Sequence, residues 1–215
     1  MANAFDLFGL ILAAGESSRM GSDKALLPWP PSTPGATAPQ DQTLLSAAIL
    51  ALKPFARAIV VVAGKNAAAV APIVKAHGAF LVRNPAPERG QFSSLQVGLR
   101  DLLARGSNAA MITPVDCPPL RPASLELLCA SFQGAVARGL CAVAPENNGK
   151  HGHPLLVGRE LINAFLSAQV ASNAREVLRA HANFIEYVSV PDMLAKSGMN
   201  TPRDYAALAA KRDPS

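Results

Sequence analysis

Short apolar, β-branched runs alternate with segments of helical period along almost the whole of this 215-residue chain. The apolar runs fall at 7–14, 58–63, 79–82, 109–113, 140–144, 154–157 and 184–190. The helical segments lie between them at 43–52, 66–77, 93–105, 122–138, 159–166, 174–181 and 202–211. Strands separated by helices pair in parallel, and such a sheet needs helices on both faces. The pattern therefore predicts a single-domain, Rossmann-like three-layer α/β/α sandwich with a mostly parallel sheet, spanning residues 1–215. Half of the residues are hydrophobic and 16% are charged, enough apolar material for one sizeable core. Pro122 and Pro202 suit the first turn of a helix, and Thr201 is a good cap before Pro202. The stretch 30–42 is rich in Pro, Ser, Thr and Gly, has no apolar periodicity, and reads as a Pro-rich surface loop. A flap over a site and an inert insertion are both open for it.

The net charge of +5 favours acidic partners. With only 8 Phe, 2 Tyr and 1 Trp, and no dense Lys/Arg run, small phosphorylated ligands fit that charge better than nucleic acid does. No apolar stretch approaches the roughly 18 residues of a membrane span, so no membrane partner is expected. Cys117, Cys129 and Cys141 cannot all pair and lack zinc-ligand spacing. Reduced thiols in a cytoplasmic protein are the expectation.

The densest information lies in residues 10–28. An apolar run ends in Gly15, a second glycine follows at Gly21, and Arg19 and Lys24 are spaced around it. Amides freed of side-chain bulk, together with two cations, suit a polyphosphate. In sheets of this kind ligands bind beyond the carboxyl ends of the strands. The Gly15 loop follows the first run and Asp116 follows the run at 109–113, so both should open onto one crevice. A dinucleotide fingerprint would need G-x-G-x-x-G, and only Gly15 and Gly21 are present. A Walker A loop would need a glycine where Met20 stands, with lysine directly after it.

The segment does match L-A-[AG]-G-x-S-x-R-M-G-x-x-K, at Leu12, Ala13, Ala14, Gly15, Ser17, Arg19, Met20, Gly21 and Lys24. In this it resembles the MobA-like NTP transferase family, the molybdenum cofactor cytidylyl- and guanylyltransferases. The likeness continues at Asn84-Pro85 through Ser93-Ser94-Leu95, at Pro114-Val115-Asp116-Cys117-Pro118, at Gly152-His153-Pro154 and at Asn200-Thr201-Pro202. It implies a nucleotide-diphospho-sugar transferase-like fold and Mg²⁺-dependent transfer of a nucleotidyl group (EC 2.7.7 type). An NTP would react with a phosphorylated acceptor such as molybdopterin, releasing pyrophosphate. The partners it implies are the NTP, that acceptor, and a molybdoenzyme or its maturation factors.

The same resemblance distributes the roles. Leu12 to Gly15, Ser17, Arg19, Met20, Gly21, Lys24, Ser93 and Ser94 are the nucleotide-binding residues. Arg19 faces the departing phosphates, and Lys24 the α-phosphate and the incoming oxygen. Asp116 and Asn200 are the metal ligands, and Arg19, Lys24 and Asp116 the catalytic set. Asn200 also reads as a capping residue ahead of Thr201-Pro202. His153 is placed on the acceptor side, in contact with an anionic acceptor, with a plain loop histidine as the other reading. His151 and His153 form an H-x-H without an apparent third zinc ligand.

The Ala13-Ala14 form of the loop leans towards CTP, with GTP as the other base. The chain departs from the G-D-x-G-A-R stretch common in cytidylyltransferases: at residues 170–175 only Ala174 and Arg175 remain. A sugar-phosphate acceptor, and a non-catalytic nucleotide-binding accessory protein, are the alternatives that this departure leaves open.

Overall fold

The computed structural model describes residues 6–15, 22–30, 42–169, 172–192, 198–199 and 201–211. Most of the stretch 30–42 therefore lies outside the described residues. At the centre of the sheet, β1 (Leu7–Leu12) is buried along its whole length. It pairs in parallel with β2 (Ala58–Ala63) on one side and β4 (Ala109–Pro114) on the other. Beyond β2 lies β3 (Phe80–Arg83), also parallel. Strands of this kind read as unbroken apolar runs because both faces are covered.

Side-chain alternation divides the core into two layers. Leu7 and Ile11 of β1, Ile59 and Val61 of β2 and Met111 of β4 face α1 (Leu44–Leu52), α2 (Ala67–Ala76) and α4 (Pro122–Ala137). Phe8, Leu10, Leu12, Val60, Val62 and Ile112 face α3 (Gln91–Ala104), α5 (Arg159–Ser167) and α6 (Ala174–Ala180). Thr43 and Ser46 form a reciprocal cap at the start of α1. At α7 (Pro202–Lys211), Thr201 and Asp204 exchange the corresponding pair of bonds, so Thr201 does cap as expected.

The other half of the sheet is less regular than the sequence pattern implies. β7 (Leu155–Gly158) enters antiparallel between β4 and β5 (Ala142–Asn147). β5 also carries a two-residue strand, β6 (Lys150–His151), and pairs in parallel with β8 (Ile185–Ser189). The cause is a tight reversal: Asn148 and Gly149 both take positive φ, 52° and 71°, the Asn-Gly signature of a two-residue hairpin. That hairpin sends the chain back at once, so β7 needs no crossover helix. Among the described residues four of the seven strand pairings are nonetheless parallel, and the three-layer sandwich stands.

Helix α3 lies unusually close to the sheet at Gly98. A Cβ there would come within 2.5 Å of Leu10 Cδ1 and 2.8 Å of Val62 Cγ2. Overpacking of this kind forces the core apart. Gly98→Val is expected to destabilise the fold by about 2 kcal/mol or more, read from urea unfolding midpoints at unchanged m-value.

Candidate active site

The strand order reverses between β1 and β4, and the loops leaving their carboxyl ends diverge there, opening a crevice. A cavity of about 360 Å³ occupies it, lined by Leu12, Ala13, Ala14, Gly15, Lys24, Ser94 and Asp116 together with Asp23, Pro87, Glu88, Gly90, Gln91 and Val115. Seven of the residues expected at the site thus meet around one space. Ser17, Arg19, Met20, Gly21 and Asn200 lie outside the described residues.

Two backbone bonds hold the crevice in register. Ala13 N–H donates to the Val62 carbonyl at 2.8 Å, and Val115 N–H donates to the Leu12 carbonyl at 3.0 Å. Asn66, just before α2, then ties three segments with one side chain. Its amide donates to the Ala13 carbonyl (2.9 Å) and to the Asp23 carboxylate (2.7 Å), while its oxygen accepts from Gly64 N–H (3.0 Å). Asp23 in turn caps the 3-10 turn Lys24–Leu26 through Ala25 N–H. This turn presents the Lys24 ammonium to the Asp116 carboxylate at 2.8 Å. Neither Asn66 nor Asp23 stands out in the sequence, because a lone Asn ahead of an Ala-rich helix reads as a cap.

The third side of the crevice is built around Asn84, 2% exposed. Its amide donates to both Ser93 Oγ and Ser94 Oγ at 2.9 Å, and its oxygen accepts from Ala86 N–H. Ser94 lines the cavity. Ser93 does not line it; its hydroxyl donates to the Gly90 carbonyl at 2.8 Å and so shapes the loop ahead of α3.

Asp116 is steadied from behind by the chain after β8. Met199 N–H donates to the Asp116 carbonyl at 2.9 Å, Arg121 N–H donates to the buried Asp192 carboxylate at 2.7 Å, and Tyr205 Oη donates to the Pro28 carbonyl. The residue next to Asn200 is thereby brought against the Asp116 loop. Burial, reinforced by the charge of Asp116 and partly opposed by Lys24, pushes the Cys117 thiol well up, which favours its protonated form.

His153 lines a second, larger cavity of about 750 Å³, which shares Leu12, Gly90 and Gln91 with the first. Its Nδ1 is sealed from solvent without a hydrogen-bond partner. Burial lowers its pKa below the ordinary 6.5, a shift that the Ile112 carbonyl and the Asp116 charge only partly oppose. The shift favours the neutral ring. His151 lies elsewhere, stacked on Tyr187 with centroids 3.7 Å apart.

A crevice at the switch point, walled by amides and holding a lysine–carboxylate pair, suits transfer of a phosphorus group. The fold is that of the nucleotidyltransferases. A CMP-2-keto-3-deoxy-manno-octonic acid synthetase, solved with CTP, superposes with a TM-score of 0.70 at 13% identity, covering 96% of this chain and 98% of its own. The Rv0371c protein of Mycobacterium tuberculosis H37Rv superposes with a TM-score of 0.73 at 21% identity, over 95% of this chain and 98% of that one; another structure of it is a manganese complex. Residues 9–184 match the family model described as the MobA-like NTP transferase domain, and the chain belongs to that family. Along 99% of its length it is 30% identical to the whole of a protein of Mycobacterium avium (strain 104) named a probable molybdenum cofactor guanylyltransferase. The chain is therefore a nucleotidyltransferase. Among the described residues no helix is long and apolar enough to cross a membrane.

Two outcomes follow from the local geometry. Asn66→Ala removes all three ties and is expected to cost about 1–3 kcal/mol, seen as a lower urea midpoint, together with faster amide exchange at Ala13 and Ala25. The His153 pKa is lower folded than unfolded, so the unfolded chain takes up the proton first as pH falls below about 6.5. Stability should therefore decline on acidification through that region, and His153→Phe should flatten the decline in unfolding midpoints measured between pH 7.5 and 5.5.

Proposed function

We propose that this chain transfers a nucleotidyl group from an NTP to the phosphate of an organic acceptor, molybdopterin being the leading candidate, with release of pyrophosphate. The observation that carries the reading is the Lys24–Asp116 pair at the mouth of the β1/β4 crevice, 2.8 Å apart and only partly exposed. Both reactants are anions, so the demands on the protein are positioning and charge neutralisation. The amides of Ala13 to Gly15 cradle the triphosphate. Lys24 leaves Asp116 for the α-phosphate and lowers the repulsion met by the incoming phosphate oxygen. Arg19 offers a planar fork to the departing phosphates.

The Asp116 carboxylate is a hard oxygen donor opening onto the cavity, which suits Mg²⁺, an ion that takes one or two protein oxygens and completes its shell with phosphate and water. Asp116 and Asn200 are the residues that would hold it. When bound, the ion supplies further neutralisation of the phosphates. A protein of the same fold, Rv0371c of M. tuberculosis, has been solved as a complex with manganese, in keeping with use of a divalent ion.

CTP is the base we favour, because the Ala13-Ala14 form of the loop resembles the cytidylyltransferase branch of the family. GTP is the second reading, favoured by the name of the M. avium relative. A sugar-phosphate acceptor is covered by the same assay.

The test is pyrophosphate release from four NTPs with Mg²⁺, crossed against molybdopterin and a panel of sugar phosphates. CTP with molybdopterin should give the highest kcat/KM; a higher value for GTP reassigns the base, and release with no acceptor of the panel rejects the reaction. Asp116→Ala should lower kcat by about a hundredfold or more with an unchanged unfolding midpoint. Lys24→Ala should reduce kcat more than NTP affinity, as expected of a contact that strengthens in the transition state.

A further inference from the structure

At the end of the sheet opposite the crevice, the amino ends of β1, β2 and β3 open onto a further cavity of about 430 Å³. β1 and β2 are each six residues long, so about 20 Å of strand separates the two spaces. A ligand in one does not touch the other. The floor is apolar, since Phe8 and Ile59 are buried, and Phe80 stands at the rim, 43% exposed. Lys53, Arg57 and Arg105 line the same space, and among the described residues no carboxylate does.

Lys53 and Arg105 directly follow helices, where cations commonly serve the last unpaired carbonyls. Glycine turns already serve those of α2 and α3. Gly78 N–H donates to the Lys75 carbonyl and Ala79 N–H to that of Val74, both at 3.0 Å. Gly106 N–H donates to the Leu103 carbonyl at 2.9 Å and Ser107 N–H to that of Leu102 at 3.2 Å. Helix capping therefore does not account for Arg105. Two carboxylates outside the lining brace the arginines. Asp101 accepts from Arg105 Nε at 2.6 Å and Nη2 at 3.2 Å, and Asp6 accepts from Arg57 Nη1 at 2.6 Å. The Arg105 guanidinium carbon also lies 3.9 Å from the centroid of Phe80. Its Nη1 makes no hydrogen bond among the described residues. Lys53 donates to the His77 carbonyl at 3.2 Å and has no carboxylate within salt-bridge distance among those residues. Three cations against two carboxylates leave one positive charge, on groups already held in place, which lowers the ordering cost of taking an anion.

We propose that this cavity is a second binding site, separate from the crevice, for a small phosphorylated molecule that carries a planar ring. Lys53, Arg57 and the remaining Nη1 of Arg105 take the phosphate, and the ring lies against Phe80. The volume falls within the range of about 300–1,000 Å³ usual for small-molecule sites.

Titration of the ¹⁵N-labelled full chain with inorganic phosphate and, separately, with CMP tests this by the amide shifts of Gly78, Phe80 and Gly106. Both probes should move these amides, and CMP should bind there about tenfold more tightly than phosphate, because its ring adds stacking. Lys53→Ala/Arg57→Ala should weaken CMP binding at these amides by about tenfold and leave any titration of Ala13 to Gly15 unchanged. Lys53→Gln, at an exposed position, should give a smaller loss of the same kind if the double variant loses its native spectrum. The proposal is overturned by an absence of shifts at the far end, by equal affinity for the two probes, or by variants that bind CMP there as the wild type does.

Discussion

Everything at the site hangs on β1 being hydrogen-bonded in parallel on both of its edges. Between β2 and β4 its register is fixed residue by residue, from Leu7 opposite Ala109 to Leu12 opposite Pro114. The segments that leave its end and that of β4 are then held a fixed distance apart by two further bonds, from Ala13 to Val62 and from Val115 to Leu12. Helices on both faces keep the strand dry, so neither bond competes with water. A slip by one residue would reverse the faces of the core and move Asp116 away from Lys24 together.

Against this frame the charged groups are few and individually restrained. Lys24 sits on a 3-10 turn capped by Asp23, and Asp23 is held by Asn66, which also holds Ala13. In the ligand-free protein Lys24 and Asp116 neutralise one another. On the proposed reading, an entering polyanion would take the lysine and the freed carboxylate would pair with the divalent ion, so binding would exchange one ion pair for others rather than bury new unpaired charge. That exchange is the simplest reason for a site of this kind to contain both residues.

The sequence made much of this readable and hid the rest for physical reasons. Strands such as β1 and β2 are unbroken apolar runs because both of their faces are covered, and their period and boundaries follow from that alone. Gly15 and Lys24 were legible through the motif at residues 12–24 and Asp116 through its place just after an apolar run, and all three line the crevice. The antiparallel β7 was not, since periodicity carries no direction; the signal that would have given it was the Asn148-Gly149 pair, a hairpin turn within what reads as an acceptor loop. Asn66 and Asn84 escaped because a side-chain amide that ties distant segments looks, locally, like any cap or turn residue.

The hydrogen bonds from Met199 to Asp116 and from Tyr205 to Pro28 also bear on how the protein is made. The second of these joins residues 177 positions apart. A chain emerging from the ribosome can pair β1 with β2, and later with β4, long before either bond is possible. The sheet precedes its own active site. In a nascent chain not yet extended to residue 199, the Gly15 loop and the Asp116 loop would sit on the assembled strands with neither bond in place, so the two loops are clamped only after every strand of the sheet has been made.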